Sequence, residues 1–529
     1  MRTLNLLLLA APPILAASPA VAAPFAPAST VLVTSGEAAA GGTFSGFGGL
    51  SLNDRGQVSF LAELAGADGS AGSGVFRAST SVEPQTIARS GGAAGGAGGT
   101  FAAFLDTPVL NRTGTVYFNA SLTGTPGGSD DDTGIYAGSG VTPFEIAREG
   151  NATPNADGFF SRFNTEVVVN AREQVAFFSQ LRDTPRRGFD NRGLYRFDPG
   201  VGLVEVIRAN QPAPSGVGTL SPSGSAGGIT TDGVISTRAS FGNGFGNFES
   251  GLILAEKPSN QAPLSVVTVL REDDPAPSGG TFQFINTESF NEAGQSAFIA
   301  SVRPPNSFDR FGIFRAEASG QVTQIALEDR TQPGVSGTFE RFGGESLNAS
   351  GQVAFTADTS VGSGVFVSNT GSRLTRIARG GQAAPDADGG TNGRFADFAS
   401  NATGLDSFGA PGLNDAGQLA FYSVLTGTDN GTEDDAGIFF YDPMEGLFEV
   451  AREGDELLGS TISVLDVNDP NPTFGTSDQA LLNNLGQVAF RFELADGREG
   501  LALWSIPEPT TGLLAVTGFA ALATRRRGH

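Results

Sequence analysis

Apolar positions in this chain come in short runs, and the runs come in fours. A Gly-Thr-Phe start, as in Gly42-Thr43-Phe44, Gly280-Thr281-Phe282 and Gly337-Thr338-Phe339, leads to an Asn-x-x-Gly segment. After it comes an alternating piece such as Gln352-Val353-Ala354-Phe355. A Gly-apolar-aromatic piece follows (Gly74-Val75-Phe76, Gly134-Ile135-Tyr136, Gly437-Ile438-Phe439), then an Ile-Ala-Arg piece (Ile87-Ala88-Arg89, Ile377-Ala378-Arg379). Short apolar runs bounded by Gly, Asp and Pro read as strands, so each unit predicts four strands.

The unit is a tandem repeat. The pattern apolar-Asn-x-x-Gly-x-apolar-small-Phe begins at Asn53, Asn111, Asn170, Thr230, Asn291, Asn348, Asn414 and Asn483, at spacings of 58, 59, 60, 61, 57, 66 and 69. Six copies keep both turn residues: Asn53 and Gly56, Asn111 and Gly114, Asn291 and Gly294, Asn348 and Gly351, Asn414 and Gly417, Asn483 and Gly486. A tight turn favours Asn first, where its side chain bonds the backbone two residues on, and Gly last, where φ is positive. The motif therefore predicts a hairpin joining strands one and two. Glu173 and Thr230 depart from that chemistry, which predicts distorted or differently closed turns in repeats three and four.

Strand two carries bulky residues on one face (Val58, Phe60) and small ones between (Ser59, Ala176, Ala297, Ala354, Ala420, Ala489). Neither face is charged, so both are covered by neighbouring sheets. Four-stranded sheets stacked this way predict an all-β β-propeller, with a β-solenoid of the same repeats as the alternative. The eighth repeat ends at its third strand, Gly500–Trp504, and the missing fourth piece stands at the other end, Thr30–Gly36. The expectation is eight four-stranded blades over residues 30–506, closed by the N-terminal strand. The tandem Asn-x-x-Gly-x-x-Ala-Phe units, clearest at Asn348–Phe355, Asn414–Phe421 and Asn483–Phe490, resemble those of exported bacterial proteins with assorted C-terminal anchors. That resemblance transfers no catalytic residue.

The ends read as addresses. Residues 1–22 have Arg2, an apolar run Leu4–Ala11 and the small-residue pattern Ala20-Val21-Ala22, the order of a secretory signal with a short helix. Residues 507–529 hold Pro507-Glu508-Pro509, an apolar segment Thr511–Thr524 expected as a short helix, and Arg525-Arg526-Arg527. This order resembles the PEP-CTERM sorting signal. The resemblance implies an exosortase-type membrane protease as a partner and transient anchoring in the inner membrane of a Gram-negative bacterium. It also implies release to the outer surface or an exopolysaccharide matrix. An uncleaved C-terminal anchor is the other reading.

Composition then narrows the chemistry. There is no cysteine, and the one histidine is His529, so thiolate chemistry, histidine triads and histidine-ligated metals have no residues in the body. A net charge of −23 opposes nucleic-acid binding. Acids concentrate in the loops from strand two to three and between blades, which share one face: Asp130, Asp131 and Asp132; Asp183 and Asp190; Asp429, Glu433, Asp434 and Asp435; Asp157, Asp273, Asp274, Asp386, Asp388 and Asp455. Asp406, Asp466, Asp469 and Asp478 add to that face from long inserts. Three readings stand open there. One is a solvated acidic rim, as part of a surface protein that binds matrix polysaccharide or another surface protein. The second is a calcium site built from Asp130, Asp131, Asp132, Asp429, Asp434 and Asp435. The third is a pair of carboxylates acting on a glycan. The once-per-blade arginines Arg89, Arg148, Arg208, Arg271, Arg379 and Arg452 are expected to form outer ion pairs with Glu149, Glu272 and Glu453, each worth ~0–1 kcal/mol.

Overall fold

The computed structural model describes residues 28–506 apart from 67–70, 97, 141, 187, 214–217, 243–247, 306, 332–333, 370–372, 388–389, 397, 399–409 and 467–481. The signal segment and the Pro507–Pro509 motif with Arg525, Arg526 and Arg527 lie outside these residues, as do both terminal helices expected above. Within them the chain forms eight antiparallel sheets in sequence order, an eight-bladed β-propeller. Blade 1 comprises Gly42–Leu52, Gln57–Ala65, Ala71–Ser79 and Val82–Arg89. Blade 8 takes Ser460–Asp466, Gln487–Leu494 and Glu499–Ser505 from the end of the ring and Ala28–Thr34 from its start. Ala28 pairs with Ser505 and Thr34 with Gly500, so the first strand closes the ring and excludes an open solenoid.

Sequence alternation becomes packing between blades. Phe60, Phe118, Phe177, Phe298, Phe355, Phe421 and Phe490 are all buried, and the small residues between them face the next sheet. In blade 1, Phe76 stacks on Phe60 at 5.6 Å and meets Phe44 edge-on at 4.9 Å. Blade 6 repeats the triad with Phe355, Phe366 and Phe339 at 5.6 and 5.3 Å. Rings without a polar atom suit these dry interfaces, which accounts for the phenylalanine excess. First strands of neighbouring blades contact each other from blade 1 through blade 7, so strand one is innermost.

The Asn-x-x-Gly turns close as their chemistry requires, and they also link blades. Asn53 Oδ1 accepts the N–H groups of Arg55 and Gln57 at 2.9 and 3.1 Å, and Gly56 N–H donates to the Asn53 carbonyl. The Asn53 amide then donates to Gln57 Oε1 and to the carbonyl of Asn111 in the next blade, both at 2.9 Å. The same inter-blade bond runs from Asn170 to Thr230, Asn291 to Asn348, Asn348 to Asn414, Asn414 to Asn483 and Asn483 back to Asn53. This belt spans six of the eight junctions. At Asn111 the amide goes to Tyr117 Oη instead, at 3.3 Å. Glycine is needed here for space as well as for φ. At Gly351, with φ +80°, a Cβ would lie 2.7 Å from Gln295 Oε1 of the preceding blade.

Of the two irregular turns, that of blade 3 keeps the usual closure, which corrects the sequence expectation, and that of blade 4 is differently closed, as expected. Glu173 adopts φ +63°, and its N–H bonds the Asn170 carbonyl as glycine does elsewhere. In blade 4 the Thr230 hydroxyl replaces the amide oxygen, accepting Val234 N–H at 3.2 Å, and Gly233 N–H closes the turn.

Candidate functional site

Alternating strand direction puts the Asn turns on one face and the two-to-three loops and blade connections on the other. That loop face is the candidate site. Its organisers are the fourth-strand arginines, and three of them are buried rather than on an outer rim. Arg148, at the end of Phe144–Arg148, donates to the carbonyls of Asp131 and Gly98 at 2.8 and 2.7 Å and lies 3.7 Å from Glu145. Arg208 bonds the Asp190 and Asp157 carbonyls, Asp157 Oδ1 at 3.2 Å and Glu205 Oε2 at 2.7 Å. Arg452 donates to the carbonyls of Asn392 and Pro385, both at 2.9 Å. Its Nε lies 2.8 Å from Glu449 Oε2, out of hydrogen-bond alignment. Each guanidinium therefore ties its own strand to the preceding blade connection, and those of blades 2 and 3 hold the two-to-three loop as well.

The partners differ from those expected. In blades 2, 3 and 7 the pairing acid stands three residues before the arginine, not one after. Glu149, Glu272 and Glu328, one after the fourth strand's last residue, cap the start of strand three instead. Glu272 accepts Ser250 N–H at 3.0 Å, Glu328 accepts Phe311 N–H at 2.8 Å, and Glu149 accepts the Thr133 hydroxyl at 2.9 Å. Asp274 and Asp455 fold back to accept the N–H of Arg271 and Arg452 at 2.7 and 2.8 Å. Arg271 packs its guanidinium 3.8 Å over the Phe241 ring.

The proposed calcium ligands divide in the same way. Asp131 accepts Gly127 N–H at 3.0 Å and faces Arg148 at 3.5 Å. Hydrogen bonding from Thr125 leads the causes that hold its carboxyl below the usual range. Asp434, the matching residue of blade 7, accepts Asn430 N–H and the Asn392 amide. Burial pushes its carboxyl up, but the bonds from Thr428, Asn430 and Asn392 outweigh burial and hold it low. Asp130 ends a short 3-10 turn, the carbonyl of Asp132 accepts Leu122 N–H, and that of Asp435 accepts Leu425 N–H. Asp429 is exposed. Among the described residues no three acidic side chains are grouped to hold a metal. Asp388, Asp406, Asp469 and Asp478 lie outside the described residues.

Residues 25–212 and 145–513 match the Family of unknown function (DUF7453). The chain belongs to that family. No curated protein matches it. Among solved structures, this DUF7453 chain is similar to a mutant puromycin hydrolase, at 12% identity and TM-score 0.40, over 85% of this chain and 59% of that one. It is similar to prolyl oligopeptidase B from Galerina marginata at 11% identity and TM-score 0.38, over 87% and 55%. Polysaccharide lyase Uly1 matches at 10% identity and TM-score 0.36, over 79% and 94%. The chain spans just over half the length of the peptidases it matches, and these likenesses concern the fold alone.

Composition gave no sign of where perturbed carboxylates gather in this DUF7453 propeller. The three most strongly raised stand together at the end of blade 7. Burial pushes the Glu449 carboxyl up to about 8, the charge of Asp455 adds to the rise, and Arg452 opposes it. Asp455 is pushed up to about 6, by burial before all else. Glu453 rises to about 7 through burial and then its neighbour Asp435, to which it is hydrogen-bonded. The pairing acids do leave a trace in sequence, because Glu145, Glu205 and Glu449 share a Glu-x-x-Arg spacing once the repeats are aligned.

Proposed function

We propose that this protein is an exported cell-surface or matrix-associated propeller that binds and scaffolds rather than catalyses. The carrying observation is how the loop-face acids are used. Asp131, Asp274, Asp434, Asp455, Glu149, Glu272 and Glu328 each accept hydrogen bonds that hold their own blade together. A carboxylate committed in this way is a poor candidate for catalysis. Residues 1–22 would direct export, and Pro507-Glu508-Pro509 with Arg525, Arg526 and Arg527 would direct exosortase-type processing and delivery to the outer surface or matrix. The test is to replace Pro507 and Glu508 by Ala in the native host and follow mass and location. The expected result is a chain that keeps its tail and stays in the membrane fraction; unchanged processing would sink the sorting reading.

One observation favours the second reading, a glycan-active enzyme. Asp435 and Glu453 form a hydrogen-bonded carboxyl pair whose charges act on Tyr422. Glycosidases likewise set a carboxyl of raised pKa near a second one, ~5–10 Å apart, so this pair would have to part for a sugar to enter. Incubating the secreted protein with a panel of glycans and measuring new reducing ends decides between the two. Turnover abolished by Asp435→Asn or Glu453→Gln would establish the enzyme.

A further inference from the structure

The fourth strand ends on the same bulge in blade after blade. In blade 2, Gly134 pairs with Arg148 and Tyr136 with Glu145; in blade 3, Gly193 with Arg208 and Tyr195 with Glu205; in blade 7, Gly437 with Arg452 and Phe439 with Glu449. The bulge turns these two side chains to one side, and their polar ends meet at 3.7, 2.7 and 2.8 Å. Blade 6 has the identical register, Gly364 with Arg379 and Phe366 with Arg376. Here arginine stands where the other three blades have glutamate. Two arginines thus stand at the strand positions that carry an ion pair elsewhere.

Among the described residues neither arginine has a carboxylate partner, and Arg379 is exposed. The two-to-three connection of blade 6 is a tight turn, Thr359 pairing with Gly362, so no loop carbonyl matches those of Asp131 or Asp190. Residues 359–385 contain three arginines and no Asp or Glu, in a chain with 55 acids. Arg373 is exposed on the approach to this strand, and Arg394 donates to the Gly381 carbonyl at 2.8 Å, two residues past Arg379.

We propose that Arg376 and Arg379 form an oxyanion site on the rim of blade 6, for the carboxylate or sulfate groups of an acidic polysaccharide. Two planar donor forks carried three residues apart on one bulged strand suit a two- or three-oxygen anion. The choice of polymer rests on the matrix-binding reading above; the site itself rests on the bulge geometry.

The test is isothermal titration of the secreted protein with sodium sulfate, polygalacturonate and dextran sulfate, comparing wild type, Arg376→Glu and Arg172→Glu. Arg376→Glu recreates the Glu/Arg pair of blades 2, 3 and 7, so it is expected to fold with an undiminished melting temperature. Arg172 is exposed on the turn face, and Arg172→Glu changes net charge equally. One polymer should bind wild type and Arg172→Glu alike and bind Arg376→Glu at least about tenfold more weakly, the worth of a charge-assisted contact. The preferred polymer identifies carboxylate or sulfate as the group recognised. Equal weakening in both variants, binding by Arg376→Glu within about twofold of wild type, or binding of none of the three probes would overturn the site. Sulfate binding that depends on Arg376, with neither polymer bound, would overturn the polysaccharide assignment while leaving sorting through Pro507 and Glu508 untouched.

Discussion

If the asparagine amide belt couples blades, then Asn414→Asp and Asn111→Asp should behave differently although both alter the same motif position. Asp keeps the oxygen that closes the turn and loses only the amide donor. At Asn414 that donor serves Gln418 Oε1 at 2.6 Å and the Asn483 carbonyl at 3.0 Å. Asn414 is 3% exposed and Asn483 4%, so water does not readily replace the bond. The loss comprises about 1 kcal/mol for the bond and about 1–3 kcal/mol for the unpaired carbonyl, now facing a carboxylate oxygen. A total near 3 kcal/mol spread over about 430 described residues, at ~2 cal/mol/K each, lowers the melting temperature by about 3 °C. At Asn111 the amide meets Tyr117 Oη, and a hydroxyl can reverse and donate to the new carboxylate. That variant should lose less than about 1 °C. Calorimetry at pH 7 on both variants reads the difference directly. Equal losses would refute the belt and leave the motif as turn chemistry alone.

Three further outcomes are expected. Glu173→Gly should raise the urea midpoint by the equivalent of about 0.5–1 kcal/mol, because Glu173 sits at φ +63°; the loss of its bond from the Thr113 hydroxyl works against the gain, and a fall would show that bond to be dominant. Glu449 is pushed up to about 8 from an ordinary 4.5, so its contribution is complete below pH 4.5 and is lost as pH rises through about 8. Wild type should therefore melt lower at pH 9 than at pH 5, and Glu449→Gln should flatten that slope by at least about 1.4 kcal/mol, one pKa unit; an unchanged slope would remove Glu449 as its source. Millimolar calcium or a chelator should leave the melting temperature unchanged, since Asp131 and Asp434 already hold their loops; a rise of several degrees with calcium would restore the metal reading.

What sequence made legible follows from what each feature depends on. Blade number, strand order and ring closure depend on local alternation and turn chemistry. The alternation recurs in all eight units and the complete Asn-x-x-Gly turn in six, and each is readable at Asn53 or Phe355 without knowing what lies next to it. The belt was not readable, because the Asn414 amide meets a carbonyl 69 residues away, and one turn residue serves both purposes. Glu173 misled for a related reason. A turn held from both sides, by Asn170 and by the next blade, can force a non-glycine residue into the left-handed region, so residue preference yields to context. The arginine partners were misread because proximity in sequence was taken for proximity in space. The bulge brings positions three apart together and sends the next residue to strand three, as Glu449 and the Glu453 N–H, bonded to the Ala436 carbonyl, show around Arg452. Once that geometry is known, the sequence becomes informative again. The positions to compare are residues −3 and 0 of each fourth strand, read blade by blade. Glu/Arg there is self-neutralised structure, Thr86/Arg89 and Thr268/Arg271 are relaxed versions, and only Arg376/Arg379 doubles the charge. In a repeat protein, the blade that breaks a shared electrostatic pattern without breaking the shared register is the one to examine for a ligand.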